Sequence, residues 1–131
     1  MSDSDHFALA HRLIERWNAG DVDGVVDLYA DDGVIRSQPD WPEPAWHGHD
    51  AIRQSIEEWR SVWESSTIEA ESLESYGNRI VIIGAWSTRG RASGLDGQIP
   101  FVVVLTVRSG KIASLEWFAD HVTAVAAARD T

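Results

Sequence analysis

The chain has 131 residues, with 11 Lys and Arg against 21 Asp and Glu, for a formal net charge of −10. That length predicts one domain over 1–131, long enough to bury a core without staples. The absence of cysteine excludes a disulfide framework, a thiolate zinc site and a cysteine nucleophile. The negative field argues against nucleic acid as a partner.

No apolar run approaches the ~18 residues of a membrane span, so no membrane partner is expected. The start, MSDSDHFALAHR, lacks the basic and apolar segments of a signal peptide. The expected location is the cytoplasm. Seven tryptophans stand out in the composition: Trp17, Trp41, Trp46, Trp59, Trp63, Trp86 and Trp117.

Periodicity predicts a first helix from about Ser4 to Asn18. Phe7, Leu9, Ala10, Leu13, Ile14 and Trp17 share one side of it. His6 and His11 fall on its polar side or edge and carry no signal. Gly20 is placed to end this helix and Asp21 to cap the next. A second helix is expected from about Asp21 to Ala30, with Val22, Val25, Val26 and Tyr29 at helical spacing. Gly33 breaks it, and Val34 to Ser37 reads as a short strand.

The string QPDWPEPAWHG holds three of the four prolines and two tryptophans. Aromatic residues are costly to leave in water, so this is a structured loop rather than a linker. A third helix is predicted from about His49 to Glu64. On it Ile52, Ile56, Trp59 and Trp63 fall within an arc of about 60°.

The period then changes to that of strands. They are expected near Thr67–Tyr76, Arg79–Arg91, Gln98–Arg108 and Lys111–Ala119, with hairpin signals at Gly77-Asn78 and at Ser109 to Lys111. A closing helix follows from Asp120, its cap, to Arg129. Helices followed by an antiparallel meander make an α+β fold rather than βαβ units. A curved sheet under helices encloses a cavity. IVIIGAW and IPFVVVLTV are apolar on both faces and need cover on both. The helices supply one cover, and a second copy of the chain is expected as the other, giving a homodimer through the outer sheet face.

RWNAGDVDGVVDLYADDGVI, PDWPEPAWHGHDAIRQSIEEW, RGRASG and GKIASLEWFADH resemble the SnoaL-like branch of the nuclear transport factor 2-like superfamily. The resemblance spans about residues 7 to 128. It implies a cone: a curved mixed or antiparallel sheet wrapped by three N-terminal helices, with an apolar pocket between them and usually a dimer.

The working residues of related enzymes do not carry over. At the oxyanion-hole tyrosine of ketosteroid isomerases this chain has Leu13. At their basic aspartate it has Ser37, or Gln38 if the loop shifts, and near their protonated aspartate it has Val103. An oxyanion hole needs donors and an enolising base needs a carboxylate. Steroid isomerisation by that route is therefore not expected. Limonene epoxide hydrolases pair an arginine with an aspartate on a middle strand and place another aspartate on the last strand. Here Arg89 and Arg91 have no such aspartate, and Trp117 stands at the last-strand position. The cyclases use an acid, for which Glu116 and Asp120 are the final-strand choices. If Leu115 and Trp117 face inward, Glu116 faces out and only Asp120 remains.

The catalytic candidates each have a plain alternative. Asp120 with His121 can form a general base, or Asp120 can simply cap the last helix. Arg36 can anchor an anionic oxygen, or pair outward with an acid. His47 and His49 can begin a metal site, but no third ligand of suitable spacing follows. No metal and no cofactor are expected.

The expected ligand pocket is lined by Leu13, Trp17, Tyr29, Ser37, Trp41, Trp46, Ile56, Trp59, Trp63, Val103, Leu105 and Trp117. Trp41 and Trp46 belong to the loop over its mouth, and the side to which Trp86 turns is left open. The expected function is binding of a small apolar, ring-containing molecule, with cofactor-free acid/base chemistry as its enzymatic form. A non-catalytic carrier and a dimeric interaction module are the alternatives. A cavity under about 300 Å³ would leave only the last.

Overall fold

The amphipathic N-terminal stretch forms α1 (Asp3–Asn18). In this computed structural model the described residues are 3–36, 45–90, 92 and 94–129. The face that carries Leu9, Ala10, Leu13, Ile14 and Trp17 is buried. Gly20, at φ 76°, ends the helix in the left-handed region, where glycine has no side chain to strain. The Asp21 N–H donates back to the Arg16 carbonyl at 3.0 Å. The Asp21 side chain then accepts from the Gly24 N–H at 2.9 Å and caps α2 (Val22–Asp27).

Helix α2 is shorter than its periodicity predicts. Tyr29 opens strand β1 (Tyr29–Arg36) instead, because it lies opposite Ile112 far along the chain. The Ile112 N–H donates to the Leu28 carbonyl at 2.8 Å. Sheet pairing overrides the weak local preference for helix. The short strand β2 (Ala45–His47) pairs with β1, so Trp46 stands in the sheet and not in a loop. Helix α3 (Gly48–Val62) likewise stops two residues early. Trp63 begins strand β3 (Trp63–Tyr76) and lies opposite Gly90.

Strands β4 (Arg79–Gly90), β5 (Asp96–Arg108) and β6 (Lys111–Trp117) complete the meander. The sheet order is β2-β1-β6-β5-β4-β3. Every pairing is antiparallel except β1 with β6, which is parallel. The result is the expected α+β architecture with a mixed sheet. Helices α1 and α3 cover its inner face, where most of the core sits.

The outer face has a cover that the sequence reading assigned to a second copy alone. Helix α4 (His121–Arg129) lays Ala124 and Ala128 on Val81, Val102 and Val104. The outward valines of β4 and β5 are thus partly satisfied within one chain. No helix among the described residues is long and apolar enough to cross a membrane.

The register between β3 and β4 shifts between Ala70 and Ser72, opposite Gly84 and Ile83. Gly84 makes this bulge possible: a Cβ there would collide with the Glu69 carbonyl oxygen and press on the Ala70 backbone. Bulges bend a strand and sharpen its twist. Gly84→Ala should therefore cost about 2 kcal/mol of stability, read as a lowered urea midpoint at unchanged m-value.

Candidate functional site

Alternation along the strands decides which side chains face the helices. Across β3, β4 and β5, Ile68, Trp86 and Ile99 are directly opposite one another. Across β2, β1 and β6, so are Trp46, Ile35 and Leu115. Phe101 and Trp117 fill the space between these two rows. From the helical side come Leu13 and Trp17 of α1, Ile56 and Trp59 of α3, and Val25 and Tyr29. Together they enclose a cavity of about 430 Å³, within the range of small-molecule sites. Glu58, Val62 and Pro100 are its exposed lining residues and mark the mouth.

Trp86 is the centre of the wall. It stacks on Trp117, with ring centroids 5.4 Å apart and planes 5° from parallel. Trp17 and Phe101 meet it edge-on at 5.1 and 5.6 Å. Trp59 lies 4.4 Å away. Offset-stacked and edge-to-face pairs gain beyond the area they bury.

The indole N–H groups converge on one residue. Trp17 Nε1 donates to the Ser66 carbonyl at 3.1 Å. Trp59 Nε1 donates to Ser66 Oγ at 3.3 Å, and Trp86 Nε1 donates to the same oxygen. A hydroxyl oxygen has two lone pairs, and these two donors use both. Ser66 itself is 7% exposed.

Tyr29 is buried on the floor between β1 and α3. The His49 ring, through Nε2, bonds the Tyr29 carbonyl at 2.9 Å. This holds the start of β1 against the first turn of α3. Burial pushes the Tyr29 phenol far above its ordinary range, so it remains protonated at neutral pH.

Of the residues expected in the pocket, Leu13, Trp17, Tyr29, Trp46, Ile56, Trp59 and Trp117 line the cavity. Ser37 and Trp41 lie outside the described residues. Three others do not line it. Trp63 is not on the helix: it has moved into β3 and packs behind Trp59, with centroids 5.6 Å apart. Its N–H is enclosed without a partner. Val103 and Leu105 face the helices but are wholly buried. Val103 lies opposite Trp117 and two residues from Phe101, and these larger rings close over it. Leu105 lies between Leu115 and Ile80, below the cavity floor.

The catalytic candidates are elsewhere. Asp120 caps α4, accepting from the Thr123 N–H and the Thr123 hydroxyl, both at 2.8 Å. Those bonds hold its carboxyl below the usual range. His121 turns to Glu74 of β3, 2.6 Å from its carboxylate. Arg36 is exposed at the end of β1, on the alternation opposite to Ile35. None of the three lines the cavity. His47 is exposed, and among the described residues no three His, Asp or Glu cluster as metal ligands. Arg89 lies 3.9 Å from Asp96 at the surface, and Arg91 is outside the described residues.

Sequence reasoning missed Ser66, Trp86, Phe101 and Ile99 as parts of the site. It also placed His6 on a polar edge, whereas His6 is 4% exposed. His6 precedes Leu9, Ala10 and Leu13 by three, four and seven residues, which is the buried stripe of α1.

The family profile of the SnoaL-like domain matches residues 10–115, the span that builds almost all of this cavity. The chain belongs to the SnoaL-like family. No curated protein matches this SnoaL-like chain by sequence.

Solved structures share its fold at low identity. A nuclear transport factor 2-like protein of unknown function from Burkholderia pseudomallei is 20% identical, with a TM-score of 0.79 over 96% of this chain and 97% of its own. TerC, co-crystallised with polyporic acid, is 16% identical at 0.79, covering 97% and 99%. A hypothetical protein from Catenulispora acidiphila has a ketosteroid isomerase-like fold and was crystallised with trimethylamine. It is 14% identical at 0.77, covering 90% and 89%. At these identities the likeness is one of fold.

The Ser66 arrangement makes a specific demand on stability. Ser66→Ala removes the acceptor of two indole N–H groups and leaves the carbonyl for Trp17. Unsatisfied buried donors should lower stability by about 2 kcal/mol, measured by urea denaturation followed by tryptophan fluorescence.

Proposed function

We propose that this SnoaL-like chain binds a small, apolar, ring-containing molecule in the tryptophan-lined cavity. The observation that carries this is the cavity of about 430 Å³ with an indole wall centred on Trp86 and Trp117. Flat ligands gain most against flat walls that are already ordered. The structures crystallised with polyporic acid and with trimethylamine support small-molecule binding on this fold.

Binding rather than proton transfer is the favoured reading. Among the described lining residues the titratable side chains are Tyr29 and Glu58. The first stays protonated, and the second is an exposed residue at the mouth that accepts from Gln54. A general base has to reach the proton that it removes and be free to accept it; Tyr29 keeps its own proton, and Glu58 lies at the mouth rather than inside the cavity.

We further propose a homodimer through the part of the outer sheet face beyond α4, where Thr67 and Gln98 are exposed on either side of Ser87. Analytical ultracentrifugation should give twice the 14.5 kDa of one chain, and Thr67→Arg should return it to one. A single-chain mass for the native protein overturns the dimer.

Naphthalene tests the cavity. It should raise the melting temperature saturably and register in isothermal titration calorimetry. Ile99→Trp, at a half-buried position on the rim, should abolish both effects while the far-ultraviolet spectrum stays native. Absence of binding to the native chain overturns the reading.

A further inference from the structure

An apolar cavity selects for size and shape. Orientation and chemical class come from the few polar groups that open into it. Tyr29 is such a group. Its side chain lines the cavity and is 2% exposed. Among the described residues its hydroxyl has no hydrogen-bond partner, and desolvation alone accounts for the state of its phenol. Among the described residues, the fully enclosed side-chain polar atoms without a partner are His6 Nδ1 and Trp63 Nε1. The Tyr29 hydroxyl is not one of them, so the little surface it keeps opens on the cavity.

A buried donor without an acceptor is costly to a fold. The neighbouring indoles show the usual solution, since Trp17, Trp59 and Trp86 all bond to Ser66. Tyr29 has no such outlet among the described residues. We propose that the Tyr29 hydroxyl is the hydrogen-bond donor for the ligand, and that the ligand class is a neutral ring compound with a carbonyl-type oxygen. This rests on the reading above that the cavity holds a ring-containing molecule.

The charge pattern decides between a neutral and an anionic oxygen. No described lining residue is Lys, Arg or His, and the chain carries a net charge of −10. A carboxylate or phenolate would enter a low-dielectric site with no counter-charge, which is strongly unfavourable. A ketone or quinone oxygen needs only a donor. Because the phenol keeps its proton throughout the neutral range, it donates and does not act as a base. The His49 contact to the Tyr29 carbonyl fixes the backbone that presents it.

Two probes of one skeleton separate the alternatives. Tetralin is purely hydrocarbon, and 1-tetralone adds one ketone. Calorimetry with native chain and Tyr29→Phe completes a cycle. The variant should bind 1-tetralone about tenfold more weakly, while tetralin affinity moves less than twofold. The infrared carbonyl band of bound 1-tetralone should be shifted to lower frequency in the native complex and return in the variant. Tyr29→Phe should melt no lower than the native chain, because the lost hydroxyl has no partner among the described residues.

Equal effects on both probes, or none on either, overturn the donor role. So does a lowered melting temperature, which would reveal a structural partner. If the native chain binds neither probe, the ring-binding reading itself falls, and that result is distinct from a failure of the donor.

Discussion

The convergence of three indole N–H groups on Ser66 is the constraint on which the site depends. Trp17 comes from α1, Trp59 from α3 and Trp86 from β4, while Ser66 belongs to β3. Apolar contact alone is non-directional and tolerates sliding of a helix over a sheet. A hydrogen bond does not, since it weakens steeply with angle and distance. One serine therefore sets where both helices sit over the strands, and the indoles it anchors become a rigid wall. The stacked Trp86–Trp117 pair and the edge-on Phe101 extend that order across the sheet.

Much of the helical half of the cavity was legible in the sequence. The 100° rule placed Leu13 and Trp17 on the inner face of α1, and Ile56 and Trp59 on that of α3, where they line the cavity. The sheet half was harder for a physical reason. Alternation reveals a side only when one face is polar, and IVIIGAW is apolar on both because α4 covers the outer face. Trp86 could not be assigned from such a string. Ser66, within a run of small polar residues, gave no signal, because its role is set by three donors from other elements.

The early ends of α2 and α3 have a related cause. Each is decided by a pairing partner distant in the chain: Ile112 for Tyr29 and Gly90 for Trp63. The arginines tell the same story in electrostatic terms. Arg60 spans the Trp17 carbonyl and the face of the Trp17 ring, 5.1 Å from its centroid. Arg16 bonds the Gly24 carbonyl at 2.8 Å. In a chain this acidic, these two cations brace helix ends and the cavity's outer rim rather than serve a ligand. The exposed pairs Arg53–Asp23 and Arg108–Asp32 are of the kind that contributes little.

The parallel pairing of β1 with β6 has a thermodynamic consequence. Ile35 meets Leu115 there, a residue 80 positions further along the chain, and both residues line the cavity. The container closes only when the two ends of the sequence are joined along that seam. A molecule that occupies it has no counterpart site in the open chain, so its binding free energy is added to the seam itself. Occupancy and long-range closure are thereby one linked equilibrium: whatever fills the cavity also clamps the first strand to the last.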